Sequence, residues 1–409
     1  MRTALSFIIV SLLSVFSAYS QNKPDVYKSI VKYLASDELA GREMGTEGEK
    51  LAGDFIATEF AKIGLEPKGE EGFFQEFSNK EKPHPHVTPE EMREVMPIMG
   101  RNVIGFLDNG AKTTIVVGAH YDHLGMGNHG SLHASKEKAI HNGADDNASG
   151  VAVMIQLAKT LSEKNITSNN FMFIAFSGEE KGLWGSKYYA ENPTLDIEDL
   201  NFMINMDMVG RFEASKGLAI HGVGTSPIWV NTIEEIRPVA LKVVLDSSGI
   251  GPSDHTSFYL QDMPVLHFFT GQHSDYHKPT DDFEKLNYKG MVLVHDVIYD
   301  IINSTLGKGE IEFLKTKSNK SNVPNFKVTL GVMPDYMYDG VGMRIDGVIE
   351  DRPAQKAGIE RGDVVLQLGE YKVKNMQDYM VALSKIEKGD KVIATVKRDG
   401  KSIEKDVQF

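Results

Sequence analysis

The stretch Thr113-Thr-Ile-Val-Val-Gly-Ala-His120-Tyr-Asp122 is an apolar run of strand length that ends abruptly in ionisable residues. Continuous apolar runs, without polar alternation, are what strands buried on both faces require. Working outward, Asn102–Leu107, Phe171–Phe176, Phe202–Met206 and Val265–Phe269 have the same character. Helical patterns lie between several of them. Val151, Met154, Ile155, Ala158 and Leu161 share one face, Leu183–Ala190 reads as a second helix, and Met291–Ile302 as a third. Upstream, Thr46-Glu-Gly-Glu49 has capping-box spacing, Leu51, Phe55, Ile56, Phe60 and Ile63 follow at helical period, and Gly64 is a natural stop. Buried strands alternating with amphipathic helices predict an α/β fold, a mixed, mostly parallel sheet covered by helices on both faces.

Ionisable residues recur just after these strands: His120 and Asp122, Glu179 and Glu180, Asp207, and Tyr276-His277. Asn142-Gly-Ala-Asp145-Asp146-Asn-Ala-Ser-Gly150 opens the helix that follows the first strand. Ligands of open α/β sheets bind beyond the carboxyl ends of the strands, so these groups can converge although far apart in sequence. Taken singly, each has a plainer reading: Asp145 as a helix N-cap, Glu179-Glu180 as a solvated first turn favoured by the helix dipole. Asp207, in an apolar run, is harder to dismiss, because a buried carboxylate must be paired or bound to a cation.

The set makes chemical sense together. His120, Asp145, Glu180, Asp207 and His277 supply two imidazoles and three carboxylates. That suits two divalent cations with one carboxylate shared, and with one hydroxide the charges balance. Nitrogen and oxygen donors favour zinc, then cobalt or manganese. Paired ions activate a water and clamp both oxygens of a tetrahedral intermediate. Glu179, beside a ligand and not needed as one, is placed to be the general base.

The segments Gly118–His123, Gly143–Gly150, Ser177–Gly182, Asn205–Met208 and Ser253–Phe258 resemble those of the co-catalytic zinc aminopeptidases, relatives of glutamate carboxypeptidase and glutaminyl cyclase. The resemblance runs over most of residues 25–305. It implies a phosphorylase/hydrolase-like fold, Asp145 as the bridging ligand, His120 and Asp207 on one zinc, and Glu180 and His277 on the other. It further implies Glu179 as base, Tyr276 polarising the carbonyl, Asp122 orienting His120, Asp146 behind the ligands, and a cis bond between Asp145 and Asp146. The implied activity is hydrolysis of N-terminal residues from peptides with a free amine. The alternatives are a cyclase-type acyl transfer on the same fold and a metal-free binding relative. Gly125-Met-Gly127-Asn-His-Gly130 spells a dinucleotide fingerprint, but it lies outside the first strand-to-helix turn and no apolar helix follows, which argues against a nucleotide site. His123, His129, His133 and His141 nearby read as loop residues on the cleft rim, with an extra metal site as the alternative.

Composition bounds the rest. The 409 residues contain no Cys, which excludes disulfides, thiolate metal sites and a Cys nucleophile. A net charge of −13 argues against nucleic acid or anionic membrane as a partner of the whole fold. Met1-Arg2, the apolar run Leu5–Ala18 and Ala18-Tyr-Ser20 read as a signal peptide over residues 1–20, implying export to a periplasmic or extracellular space. No later stretch is long enough to span a membrane. A catalytic domain over 21–310 is expected, then a polar linker at 311–323 and a β-rich domain over 324–409. Pro353-Ala-Gln-Lys-Ala-Gly358-Ile-Glu-Arg-Gly-Asp363 resembles bacterial PDZ domains, and Thr329-Leu330-Gly331-Val332 occupies the position of their carboxylate-binding loop. Such domains take peptide or protein C-termini as an added strand; the alternative is a domain that packs on the catalytic body and binds nothing. Its strands are expected at Lys327–Val332, Gly342–Val348, Val364–Leu368 and Lys391–Arg398, with a helix over Gln377–Ile386 and a hairpin turn at Arg398-Asp-Gly-Lys401.

Overall fold

The computed structural model describes residues 23–80, 96–135, 137–316, 328–335, 338, 340–349 and 352–409. The expected leader, most of the linker and Lys327 lie outside the described residues. The larger sheet has strands β1 (Glu66–Pro67), β2 (Phe74–Asn79), β3 (Ile98–Leu107), β4 (Thr114–His120), β5 (Asn170–Phe176), β6 (Leu200–Met206), β7 (Leu218–His221), β8 (Val243–Asp246) and β9 (Val265–Phe269). Their order is β1-β3-β5-β4-β6-β9-β7-β8, with β2 also on β3. The centre, β5-β4-β6-β9, is parallel. The β3–β5 and β9–β7 pairings on its flanks are antiparallel. The sheet is therefore mixed, with its parallel part where the apolar runs are least interrupted.

Alternation along the strands separates two cores. Ile115 and Val117 of β4 join one with α1 (Lys23–Leu34), α2 (Glu47–Ile63), α3 (Gly150–Ser162), α5 (Trp229–Ile236) and α7 (Tyr288–Thr305). Val116 faces the other, with Tyr189 of α4 (Trp184–Glu191) and Phe258 of α6 (His255–Tyr259). Successive strand side chains point to opposite faces, so a run buried on both sides needs helices on both.

The α2 boundaries follow from capping chemistry. The Thr46 side chain accepts from Glu49 N, and Gly64 ends the helix at φ +90°. Glu49 does more than cap: its carboxylate also accepts from Tyr121 Oη at 2.9 Å and Ser177 Oγ at 2.6 Å. It thereby ties α2 to the segments that leave β4 and β5. Among the described residues, no helix is long and apolar enough to cross a membrane.

A separate core, including Leu330, Ile345, Val365, Leu368 and Val396, belongs to the C-terminal region. Its strands are β10 (Val332–Pro334), β11 (Met343–Val348), β12 (Val364–Leu368), β13 (Tyr371–Lys372), β14 (Lys391–Arg398) and β15 (Lys401–Gln408), with helices α8 (Pro353–Lys356) and α9 (Met376–Ser384). The first strand thus starts where the sequence expectation ended it. Thr329–Gly331 lie outside any strand, with Gly331 N donating to Thr329 Oγ1 at 3.1 Å, Gly331 at φ +77° and a Cβ there meeting Arg352. The β14–β15 turn is as expected: Arg398 pairs with Lys401 across Asp399 and Gly400, both at positive φ. Asp363 is fully buried and receives Arg398 Nε at 2.7 Å and Nη2 at 2.8 Å, which hold its carboxyl below the usual range despite burial.

The linker expectation is corrected at its start. Ile311 is buried and packs on the main core, Phe313 packs beside Tyr259, and Leu314 N donates to Thr225 O at 2.8 Å. The side chains of Ile311 and Phe313 and the backbone of Leu314 hold residues 311–316 to the larger body.

Candidate metal centre

Register places the chemistry. In the parallel centre His120 is level with Phe176, and Met206 with Phe268. The residues that follow these strand ends therefore emerge at one edge of the sheet. There His120, Asp146, Glu180, Asp207 and His277 come together, with Glu179 alongside on the wall of a cavity that Asp146, Asp207, Tyr276 and His277 also line.

Asp146 stands at the centre. His120 Nε2 is 3.3 Å from Asp146 Oδ1 and 3.4 Å from Asp207 Oδ1. On the other side His277 Nε2 is 3.2 Å from Asp146 Oδ2 and 3.3 Å from Glu180 Oε2. Two donors on a tetrahedral ion with bonds of 2.0–2.1 Å lie about 3.3 Å apart. The donor types and spacings on both sides of Asp146 thus fit an ion each.

Two expectations are corrected. Asp145 does not face this group. Its Oδ1 accepts from Gly210 N at 2.6 Å, and its Oδ2 lies 3.2 Å from His273 Nε2. Both it and Asp146 are held from behind by Asp281, whose Oδ2 accepts their amide protons at 2.8 and 3.1 Å. Two adjacent acids in a tight loop point in different directions, and composition cannot say which faces the site. The cis bond is also one residue later than expected, between Asp146 and Asn147. The rim reading of His123 is corrected as well. It is 1% exposed, and its Nδ1 is 2.7 Å from Glu180 Oε1.

Asp122 acts on both sides of the site. Its Oδ1 lies 3.6 Å from His120 Nδ1 and accepts from Glu179 N at 3.1 Å, and its Oδ2 accepts from Glu180 N at 3.4 Å. Tyr276 stacks on His277 with ring centroids 3.8 Å apart.

The electrostatics call for cations. Burial pushes the Glu179 carboxyl well above the usual range, offset partly by His120 and reinforced by Asp207, Glu180 and Asp254. Burial also works against ionised Glu180 and Asp146, yet the imidazoles around them hold Glu180 at about 2 and Asp146 well below its ordinary value. His277 and His120 are correspondingly raised well above theirs, against the opposing effect of burial. A buried group of carboxylates that draws positive charge onto its imidazoles is one that divalent ions would stabilise.

Arg42 was not singled out by the sequence and proves central. Its buried guanidinium donates to Tyr121 O at 2.8 Å, Asn142 O at 2.6 Å, Gly143 O at 3.0 Å and also to Leu34 O. It joins the loop carrying His120 to the loop carrying Asp146. Its signal was slight, a lone Arg after Ala-Gly in a turn. Arg42→Ala would leave these buried carbonyls unpartnered at about 1–3 kcal/mol each. We expect a lower melting temperature and weaker metal retention, read by calorimetry and elemental analysis.

A family model described as peptidase family M28 matches residues 102–302, and one described as a PDZ domain matches residues 316–409. Residues 102–302 form an M28 peptidase domain. Aminopeptidase YwaD of Bacillus subtilis is 31% identical over 172 residues, 38% of this chain and 36% of its own length. Uncharacterized protein YfbL of Escherichia coli is 25% identical over 244 residues, 51% of this chain and 72% of its own. The chain thus spans about a third of the first relative's length. The fold of the M28 domain is shared with BSAP, a zinc aminopeptidase from Bacillus subtilis, at TM-score 0.55 and 18% identity, covering 70% of this chain and 96% of that one. It is shared equally with Porphyromonas gingivalis glutaminyl cyclase, at TM-score 0.53 and 17% identity, covering 69% and 98%. Two chemistries on one fold leave the choice to the site.

Proposed function

We propose that the protein is an exported, two-zinc aminopeptidase that hydrolyses N-terminal residues from peptides. The observation that carries this is Asp146, each of whose oxygens faces a separate His–carboxylate pair. His120, Asp207 and Asp146 would hold one ion, and Glu180, His277 and Asp146 the other. Bound ions supply Lewis acidity to water and to the scissile carbonyl. Glu179 takes the proton from the attacking water and returns it to the leaving amine. Tyr276, on the same cavity wall, holds the carbonyl oxygen. The carboxylates favour a substrate with a free ammonium group.

The test is metal analysis of purified protein beside hydrolysis of free and N-acetylated peptides. Two zinc ions, loss of activity with chelator, and selective cleavage of free amines are expected. Cyclisation of N-terminal glutamine without hydrolysis would favour the cyclase reading. Export rests on residues 1–20, and N-terminal sequencing of secreted protein starting at Gln21 checks it.

We assign the PDZ domain to capture of peptide C-termini at Thr329–Val332, which tethers one end of a substrate while the other is trimmed. A chain ending at Thr316 keeps Ile311, Phe313 and Leu314 in place. It is expected to fold, bind metal and cleave dipeptides as the full chain does. It should lose ground on longer peptides with a free C-terminus and not on amidated ones. Steady-state kinetics on the three substrates decide this.

A further inference from the structure

We infer that His123 is the positioning residue of Glu180, donating Nδ1–H to Oε1 and so turning Oε2 toward the second metal position. The inference rests on the two-ion reading above and assigns a residue outside its ligand set.

Distances separate a hydrogen-bond donor from a further ligand. The four His–carboxylate spacings around Asp146 are 3.3, 3.4, 3.2 and 3.3 Å. Those match the separation of about 3.3 Å between donors on one tetrahedral ion. His123 Nδ1 is only 2.7 Å from Glu180 Oε1 and as much as 3.8 Å from Asp146 Oδ2. The first is the length of a charge-assisted hydrogen bond, and the second is longer than any of those four spacings, although His123, Asp146 and Glu180 lie near enough together to share an ion. Glu180 thus divides its oxygens: Oε1 to His123, and Oε2 to the side of His277, 3.3 Å from its Nε2. A carboxylate with one oxygen engaged this way presents the other to an ion.

The imidazole is seated for this contact. A Cβ on Gly143, which sits at φ +56°, would lie 2.5 Å from the His123 ring, so only glycine leaves the ring its place. His123 N donates to Arg42 O at 3.1 Å, and Arg42 in turn donates to Gly143 O. The ring meets His277 edge-on at 5.8 Å. Its buried Nε2 has no hydrogen-bond partner among the described residues, which leaves Glu180 as the polar contact the ring serves.

The test uses the full-length zinc-loaded protein with His123→Ala and His123→Asn, titrated against a chromophoric chelator. Ala should raise the dissociation constant of one ion by about 10–100-fold, the usual effect of losing a group that orients a ligand, and leave the other unchanged. Asn places an amide N–H near the position of Nδ1–H and should restore most of the affinity. X-ray absorption should count two imidazole nitrogens per pair of ions, in the wild type and in the Ala variant alike. Unchanged affinities in the Ala variant overturn the inference, as do equal weakening of both ions, failure of Asn to rescue, or three imidazoles per pair of ions. Protein that holds no metal overturns the two-ion reading as well. Two tightly held ions indifferent to His123→Ala overturn this inference alone.

Discussion

Glu179→Gln is expected to lower kcat by about 10²–10⁴-fold while both metal ions stay bound. Gln keeps the shape of the side chain and cannot accept the proton from water. Glu179 lies on the cavity wall but is outside both donor groups around Asp146. KM should change little, because the lost interaction belongs to the transition state. The same substitution should stabilise the metal-free protein near neutral pH. Burial, Asp207, Glu180 and Asp254 raise the Glu179 carboxyl well above its ordinary value, with His120 opposing in part. The folded state therefore prefers it protonated. Its ionisation costs stability as pH rises from the ordinary carboxylate range through the raised value, and the cost is absent below that range. The gain from Gln should accordingly appear at neutral pH and vanish in acid, a trade of stability against activity. Thermal unfolding with chelator at both pH values, beside kinetics of the loaded enzyme, checks both halves. Normal turnover, or loss of metal, would show that Glu179 is not the base.

Asp146→Asn is expected to take both ions and essentially all activity with it. Each of its oxygens faces one donor pair, and an amide offers a single oxygen in place of two. Asp145→Asn should retain both ions. Its Oδ1 accepts the Gly210 amide proton, a bond that an Asn oxygen can also accept. Elemental analysis of the two variants after gel filtration distinguishes the neighbours directly. The opposite result would restore Asp145 as the shared ligand.

The adjacent acids show where sequence reading stops. The loop Gly143–Gly150 was legible as part of the site only in company: alone its acids read as a helix cap, but with ionisable residues after several buried strands they make a set. Which of Asp145 and Asp146 turns inward depends on the backbone path, and that path is set by Asp281, more than a hundred residues later. His123 was read as a loop residue for the same reason. Nothing local brings it to Glu180 until Arg42 and Gly143 close the space around it. Helix α1 was missed although Tyr27, Ile30, Val31 and Leu34 carry its period and are buried. Strands β7 and β8, of four residues each, are too short to show a pattern.

By itself the sequence determined the buried strands, the helices that cover them, the order of the acidic and histidine motifs, and the C-terminal module. These depend on local periodicity and on residue chemistry, both of which are carried in short segments. Tertiary structure decided which oxygens meet. Asp146 rather than Asp145 faces both imidazoles, His123 reaches Glu180, and a buried Arg42 joins their loops. Such contacts are set to within an ångström by the packing of distant segments, and spacing along one chain holds no measure of that distance.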